Sequence, residues 1–169
     1  MILTPWLNFK TNKAQKQNKA LRKSVAYEAA GMFGIVYFND DHKKIEEAEK
    51  LIALLKMDGK TVKAIAYEHK TSVKHLPYDT FNKENIGFWG SFIGKPINDF
   101  VEAEFDFLIC LDEQPNSMIR SILANSHAKC RIGRFNENNE EVFEMLINNS
   151  EKQGKNWVDS LYQYLKILS

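Results

Sequence analysis

The chain has 169 residues, 44% hydrophobic and 27% charged, with a formal net charge of +1 and two cysteines. That length suits one domain able to bury roughly 70% of the surface its unfolded form exposes. The balanced charge predicts no global field for nucleic acid or an anionic membrane, and no apolar run approaches the ~20 residues of a membrane span. A cytoplasmic location is expected, because Met1–Phe9 is too short for a signal-peptide core and the basic residues follow it.

Residues 1–30 hold Lys10, Lys13, Lys16, Lys19, Arg22 and Lys23 against the acid Glu28 alone. A basic helical arm therefore precedes a mildly acidic body, 31–169. Within 11–29, Ala14, Leu21, Val25 and Ala29 suggest an amphipathic helix whose C-terminal half packs and whose first half is solvated, with Gly31 as its stop. Lys10 to Arg22 recur every third residue, and each such step falls about 60° short of a full turn. The six basic residues are candidate phosphate contacts spread around a cylinder; the plainer reading is a solvated terminal helix.

Phe33–Phe38 (FGIVYF) reads as a buried strand, and Asn39-Asp40-Asp41 supply N-cap chemistry for a helix running to Met57. Asp58-Gly59 ends that helix and Thr61–Tyr67 (TVKAIAY) is the second strand. Residues 68–96 are the least regular part. Lys70-Thr71-Ser72 and Leu76-Pro77 break the pattern before NIGFWGSFIGKP, which packs three glycines and three aromatics into a dozen residues. A short helix is predicted from Pro96 to Glu102, then a strand Phe105–Leu111, a helix Asn116–Asn125, a strand Ala128–Ile132, a fifth strand Val142–Ile147 and a closing helix Asn156–Leu168.

This alternation predicts a single three-layer, Rossmann-like α/β sandwich with a mostly parallel sheet of about five strands. Ligands in such sheets bind beyond the carboxyl ends of the strands, which selects Asn39, Asp40, Asp112 and Arg134 as ligand-edge candidates. An Arg134–Asp112 salt bridge is the expected structural use of that pair. The aromatics Phe88, Trp89 and Phe92 either plug the sheet edge or form a partner patch; Phe88 and Trp89 are the expected plug of the strand-end crevice. Gly90–Lys95 is not a phosphate loop: three residues rather than four separate its glycines, and Pro96 stands where Ser or Thr would hold magnesium. His42, His69, His75 and His127 lack metal-site spacing. Cys110 and Cys130 fit buried strands. No metal, catalytic residue or cofactor is predicted.

The segment FDFLICLDEQPNSMIRSILANSHAKCRIGR, with IGFWGSFIGKP before it and LYQYLKIL at the end, resembles an uncharacterised family of small bacterial proteins, a domain of unknown function. The same segment is similar over some thirty residues to the acceptor-side domain of heptosyltransferase-type (GT-B) glycosyltransferases, with Ala128-Lys129-Cys130-Arg131-Ile132-Gly133 matching their A-K-x-R-I-G strand. That second resemblance implies the fold; the first-strand loop of such enzymes is Gly-rich and carries a catalytic acid, whereas here it is Asn39-Asp40-Asp41, with no glycine. The function expected is a non-catalytic domain that binds a macromolecular partner, above all a protein, or acts as an accessory protein. One alternative is an RNA- or ribosome-associated protein using the basic arm; another is a sugar-phosphate or nucleotide-sugar binder or enzyme using Asp40, Asp112 and Arg134.

Overall fold

The computed structural model of the chain describes residues 3–69, 75–87, 89–148 and 156–169. Its centre is one six-stranded, all-parallel sheet. In chain order the strands are β1 (Met32–Phe38), β2 (Thr61–Tyr67), β3 (Asp79–Phe81), β4 (Phe107–Cys110), β5 (Cys130–Arg134) and β6 (Met145–Ile147). In space they run β3-β2-β1-β4-β5-β6, each pair parallel. The chain thus winds outward from β1 in one direction and from β4 in the other, and the strand order reverses between them.

Five helices accompany the sheet among the described residues: α1 (Leu3–Gln17), α2 (His42–Met57), α3 (Lys95–Val101), α4 (Ser117–Asn125) and α5 (Trp157–Ile167). Strand side chains alternate between two cores. Phe33, Ile35, Tyr37, Phe107 and Ile109 face α2 and α5, meeting Leu51, Leu55, Trp157 and Leu161. Val36, Leu108 and Cys110 face α3 and α4, meeting Ile97, Phe100, Ile119 and Ile122. A parallel sheet covered on both faces leaves no solvent side for polar residues, which is why β1 and β4 read as unbroken apolar runs.

Three sequence expectations need correction. The sheet has a sixth strand, β3, inside the segment read as irregular. The strands expected at 128–132 and 142–147 are Cys130–Arg134 and Met145–Ile147. The N-terminal helix lies earlier than 11–29: α1 ends at Gln17, a 3₁₀ turn continues to Leu21, and Arg22 is extended. The later part of that segment does pack, Val25 and Tyr27 joining the core beside α2 and α5, and so does α1, which lies along α4 with Leu7 and Ala14 buried.

That docking has a polar reason. The last carbonyls of a helix lack intrahelical partners, and here Asn18 Nδ2 donates to Ala124 and Asn125 at 3.0 and 3.1 Å. Arg22 donates to the Ser126 carbonyl at 2.8 Å and to that of Ala128. Burial, and then the neighbouring Arg131, lower the Arg22 pKa to about 10. Arg131 donates to both carboxylate oxygens of Glu144 and to Gln15 Oε1 on α1. Extended backbone at Arg22 is what lets its guanidinium reach this cluster.

Candidate functional site

The reversal of strand order opens a crevice of about 340 Å³ beyond the ends of β1 and β4, lined by Phe38, Asp40, Lys44, Asp112, Glu113, Gln114 and Asn116. Two helices begin at its rim. Asp41 caps α2, its carboxylate accepting from Lys43 N at 2.9 Å, and Asn116 caps α4 by accepting from Met118 N and Ile119 N. Both caps spend their side chains on orphan backbone N–H groups.

Between them lies Lys44. Its Nζ is 2.6 Å from Asp40 Oδ1 and 2.6 Å from Asp112 Oδ1. The other Asp112 oxygen accepts from Phe38 N at 2.9 Å. Burial works against the Lys44 charge, but the Asp112 and Asp40 carboxylates outweigh it and hold its pKa above the ordinary lysine value. The crevice therefore contains a neutralised cation, not a free one.

The opposite edge of the same strand pair repeats the device. Asp106 Oδ2 accepts from Gly31 N and Met32 N at 2.7 and 3.0 Å, while Oδ1 accepts from Lys129 Nζ at 2.6 Å. At each end of β1 and β4, then, an aspartate takes a backbone N–H of β1 and a lysine. Asp112 is used as Asp106 is used, to clasp two central strands.

The remaining ligand-edge candidates go elsewhere. Arg134 does not reach Asp112. Its Nη2 lies 2.5 Å from Glu47 Oε2 on α2, its Nε donates to the Leu111 carbonyl, and its guanidinium lies 4.5 Å from the Trp157 ring centroid. Asn39 is fully buried, its backbone N–H bonded to the Tyr67 carbonyl and its side chain directed at Glu68. Asp40 and Asp112 thus share a site, and Lys44, which sequence reasoning missed, holds them there. The one local signal was its position four residues after Asp40, a helical ion-pair spacing.

Of the expected aromatic plug, Trp89 does not line the crevice. Phe88 lies outside the described residues. Trp89 sits on a small hairpin closed by Gly87 N to the Ser91 carbonyl, Ile93 N to the Asn85 carbonyl and an Ile86–Phe92 bridge. Phe92 is half-buried against the core under α3 and α4. At Gly90 φ is +72°, and a Cβ there would lie 3.3 Å from Lys10 Cγ. Only glycine offers both the left-handed backbone and that closeness, so Gly90 seats the hairpin on α1.

This contact assembles a second candidate site. Trp6 and Phe9 of α1 stack with centroids 5.6 Å apart and 28° between planes, and Trp89 meets Trp6 edge-on at 5.5 Å. Lys10 Nζ lies 5.8 Å from the Trp6 centroid. Phe9 is 58% exposed, Trp89 64% and nearby Ile93 53%. Lys13, Lys16, Lys19 and Lys23 are exposed beyond them, whereas Arg22 is spent on α4. Trp6 and Phe9 escaped the sequence reading, although an aromatic i, i+3 pair just before the first lysine was visible.

Among the described residues no helix is long and apolar enough to cross a membrane, and no group of three or more His, Cys, Asp or Glu could hold a metal ion. Both cysteines are buried and free. The chain belongs to the family of unknown function DUF6913, whose model matches residues 4–168. No curated protein and no solved structure matches it.

Proposed function

We propose that this protein is a non-catalytic binding domain that docks a macromolecular partner through the Trp6–Phe9–Trp89 surface. The observation that carries the reading is the exposed ring cluster itself, built by a hydrogen-bonded hairpin on a helix pinned from behind by Asn18 and Arg22. Rigid, partly exposed aromatics concentrate binding energy because they bury large area at little entropic cost. The strand-end crevice supports the non-catalytic half of the reading: Asp40, Asp112 and Lys44 are consumed by one another and by the Phe38 N–H.

The test is affinity capture by the full-length protein from its own cells, wild type against Trp6→Ser/Trp89→Ser, with protein and nucleic acid both identified. The double variant is expected to lose the bound partner while keeping the wild-type melting temperature. Capture of the same partner by both proteins would refute the reading.

A second reading, a sugar-phosphate or nucleotide-sugar binder, draws on the position of the crevice at the reversal of strand order. A bound ligand stabilises the native state by mass action. Millimolar nucleotide sugars are expected to leave the melting temperature unchanged; an upward shift abolished by Lys44→Met would establish this second reading instead.

A further inference from the structure

We infer that the partner of the aromatic surface is single-stranded nucleic acid, its bases stacking on Phe9 and Trp89 and its phosphates meeting Lys13, Lys16 and Lys19. This rests on the docking role proposed for that surface and adds the chemistry of the occupant.

The outward face of α1 is ordered along its axis. Trp6, Phe9, Lys13 and Lys16 follow one another at steps of three or four residues, about 4.5–6 Å apart along the helix. Rings come first and cations second. A nucleotide chain presents the two complementary chemistries, a π face and a phosphate, at every residue. The stacked Trp6–Phe9 pair ends in a ring that is 58% exposed, so an unpaired base extends a stack already begun.

Charge along α1 itself is complementary. No acid occurs before Glu28, and none in the hairpin from Ile86 to Gly94. Helix α1 and the hairpin themselves thus offer a polyanion no like charge, although Glu137, Glu140 and Glu141 line the cleft beside Asn8, Asn12 and Gln15 and the whole chain carries only +1.

The other occupants fit less well. An anionic lipid surface calls for apolar side chains along the length of a helix lying on it, and the outward half-turns after Phe9 are Asn12, Lys13, Lys16 and Gln17, all exposed. A duplex offers phosphates but keeps its bases paired away from the rings.

The test is fluorescence anisotropy of a labelled 20-nucleotide oligouridylate, its oligothymidylate counterpart and a 20-base-pair duplex, titrated with full-length protein at 50 and 200 mM salt. Single strands lose affinity with a logarithmic slope of about 0.7 per phosphate contact. Three lysine contacts therefore predict about 20-fold weaker binding at the higher salt. Lys13→Gln/Lys16→Gln should reduce that salt effect to about threefold. Phe9→Ala should weaken binding about tenfold at either salt and leave the slope unchanged; Phe9 is exposed, so the melting temperature should hold. Single strands should bind more tightly than the duplex.

Absence of oligonucleotide binding at 50 mM salt, equal affinity for the duplex, or a salt effect untouched by the lysine variant would each overturn the inference. The capture experiment separates the two levels. A protein partner or an anionic vesicle lost in Trp6→Ser/Trp89→Ser, with no oligonucleotide bound, leaves the docking surface standing and removes nucleic acid as its occupant. Capture indifferent to those tryptophans removes the docking surface itself.

Discussion

Replacing Lys44 with Met would leave the Asp112 carboxylate, whose side chain is 5% exposed, with the Phe38 N–H at 2.9 Å and the weak Cys110 Sγ donor at 4.0 Å as its remaining partners. Removing one member of a buried ion pair costs about 3–5 kcal/mol because the other charge stays desolvated. Lys44 is 21% exposed and Asp40 39%, so solvent already screens part of the attraction, and a loss of about 2–3 kcal/mol is expected. Against a total stability of ~5–15 kcal/mol, that moves a urea midpoint down by about 1–2 M for a protein of this size.

Trp157, 1% exposed on α5, supplies a fluorescence signal for unfolding. The pH dependence tests the mechanism. Without Lys44 the folded-state pKa of Asp112 stands further above its unfolded value, so the penalty is fully present at neutral pH and disappears as pH falls through the folded pKa toward ~4. The wild-type and Lys44→Met curves should therefore converge on acidification. Adding Asp112→Asn to Lys44→Met should recover most of the loss at neutral pH. An unchanged midpoint at pH 7, or a deficit that persists at pH 4, would mean that water reaches Asp112 and that the clasp does not hold the two strands together.

Ile109, fully buried and paired between Ile35 and Ile132, should not tolerate Asp; the unpaired charge costs several kcal/mol, and a cooperative wild-type melt in Ile109→Asp would contradict the central place of β4. Asp58 accepts hydrogen bonds from Tyr27 at 2.6 Å and Tyr162 at 2.7 Å, which, with Lys166, depress its pKa from 3.8 to about 2. Its stabilisation is present above the unfolded pKa and lost as pH falls from about 4 toward 2, so Asp58→Asn should flatten the acid limb of the stability profile in that window, as read by circular dichroism. Gly90→Ala forces a side chain into positive φ and against Lys10; about 1–2 kcal/mol is the expected stability cost, and loss of the Trp6–Trp89 contact should appear as a blue-shifted or altered near-ultraviolet dichroism.

The central strands were legible because two-sided burial writes itself as FGIVYF and FLICL, β2 because TVKAIAY is β-branched and partly alternating, and the helices α2, α4 and α5 because their apolar spacing and caps agree. β3 was not, since three residues, Asp-Thr-Phe, at a sheet edge bury only one side chain and leave no periodic trace. The N-terminal helix was misplaced because the spacing of Leu21, Val25 and Ala29 imitates a helix, whereas the backbone there is drawn straight by Arg22 reaching carbonyls more than a hundred residues away. The pairings at the candidate site were hidden for the same reason of distance. Asp40 and Asp112 were placed at the correct edge by topology, but the partner of Asp112 is 68 residues off and that of Arg134 is 87. No local pattern distinguishes those pairings from the Arg134–Asp112 bridge expected in their stead.

The separation between Arg22 and the carbonyls it holds, 104 residues to Ser126, together with the 116 between Gln15 and Arg131, has a consequence for a chain made from its N-terminus. Helix α1 is synthesised well before the carbonyls of α4 and the Arg131 side chain that pin it. At ~5–20 residues per second, about 6–25 s pass between the appearance of Lys23 and that of Glu144. Throughout that interval Trp6 and Phe9 belong to an unanchored peptide, and Trp89 has no seat against them. The aromatic surface is therefore a property of the finished molecule only: a truncated or stalled product carries the same residues without the arrangement.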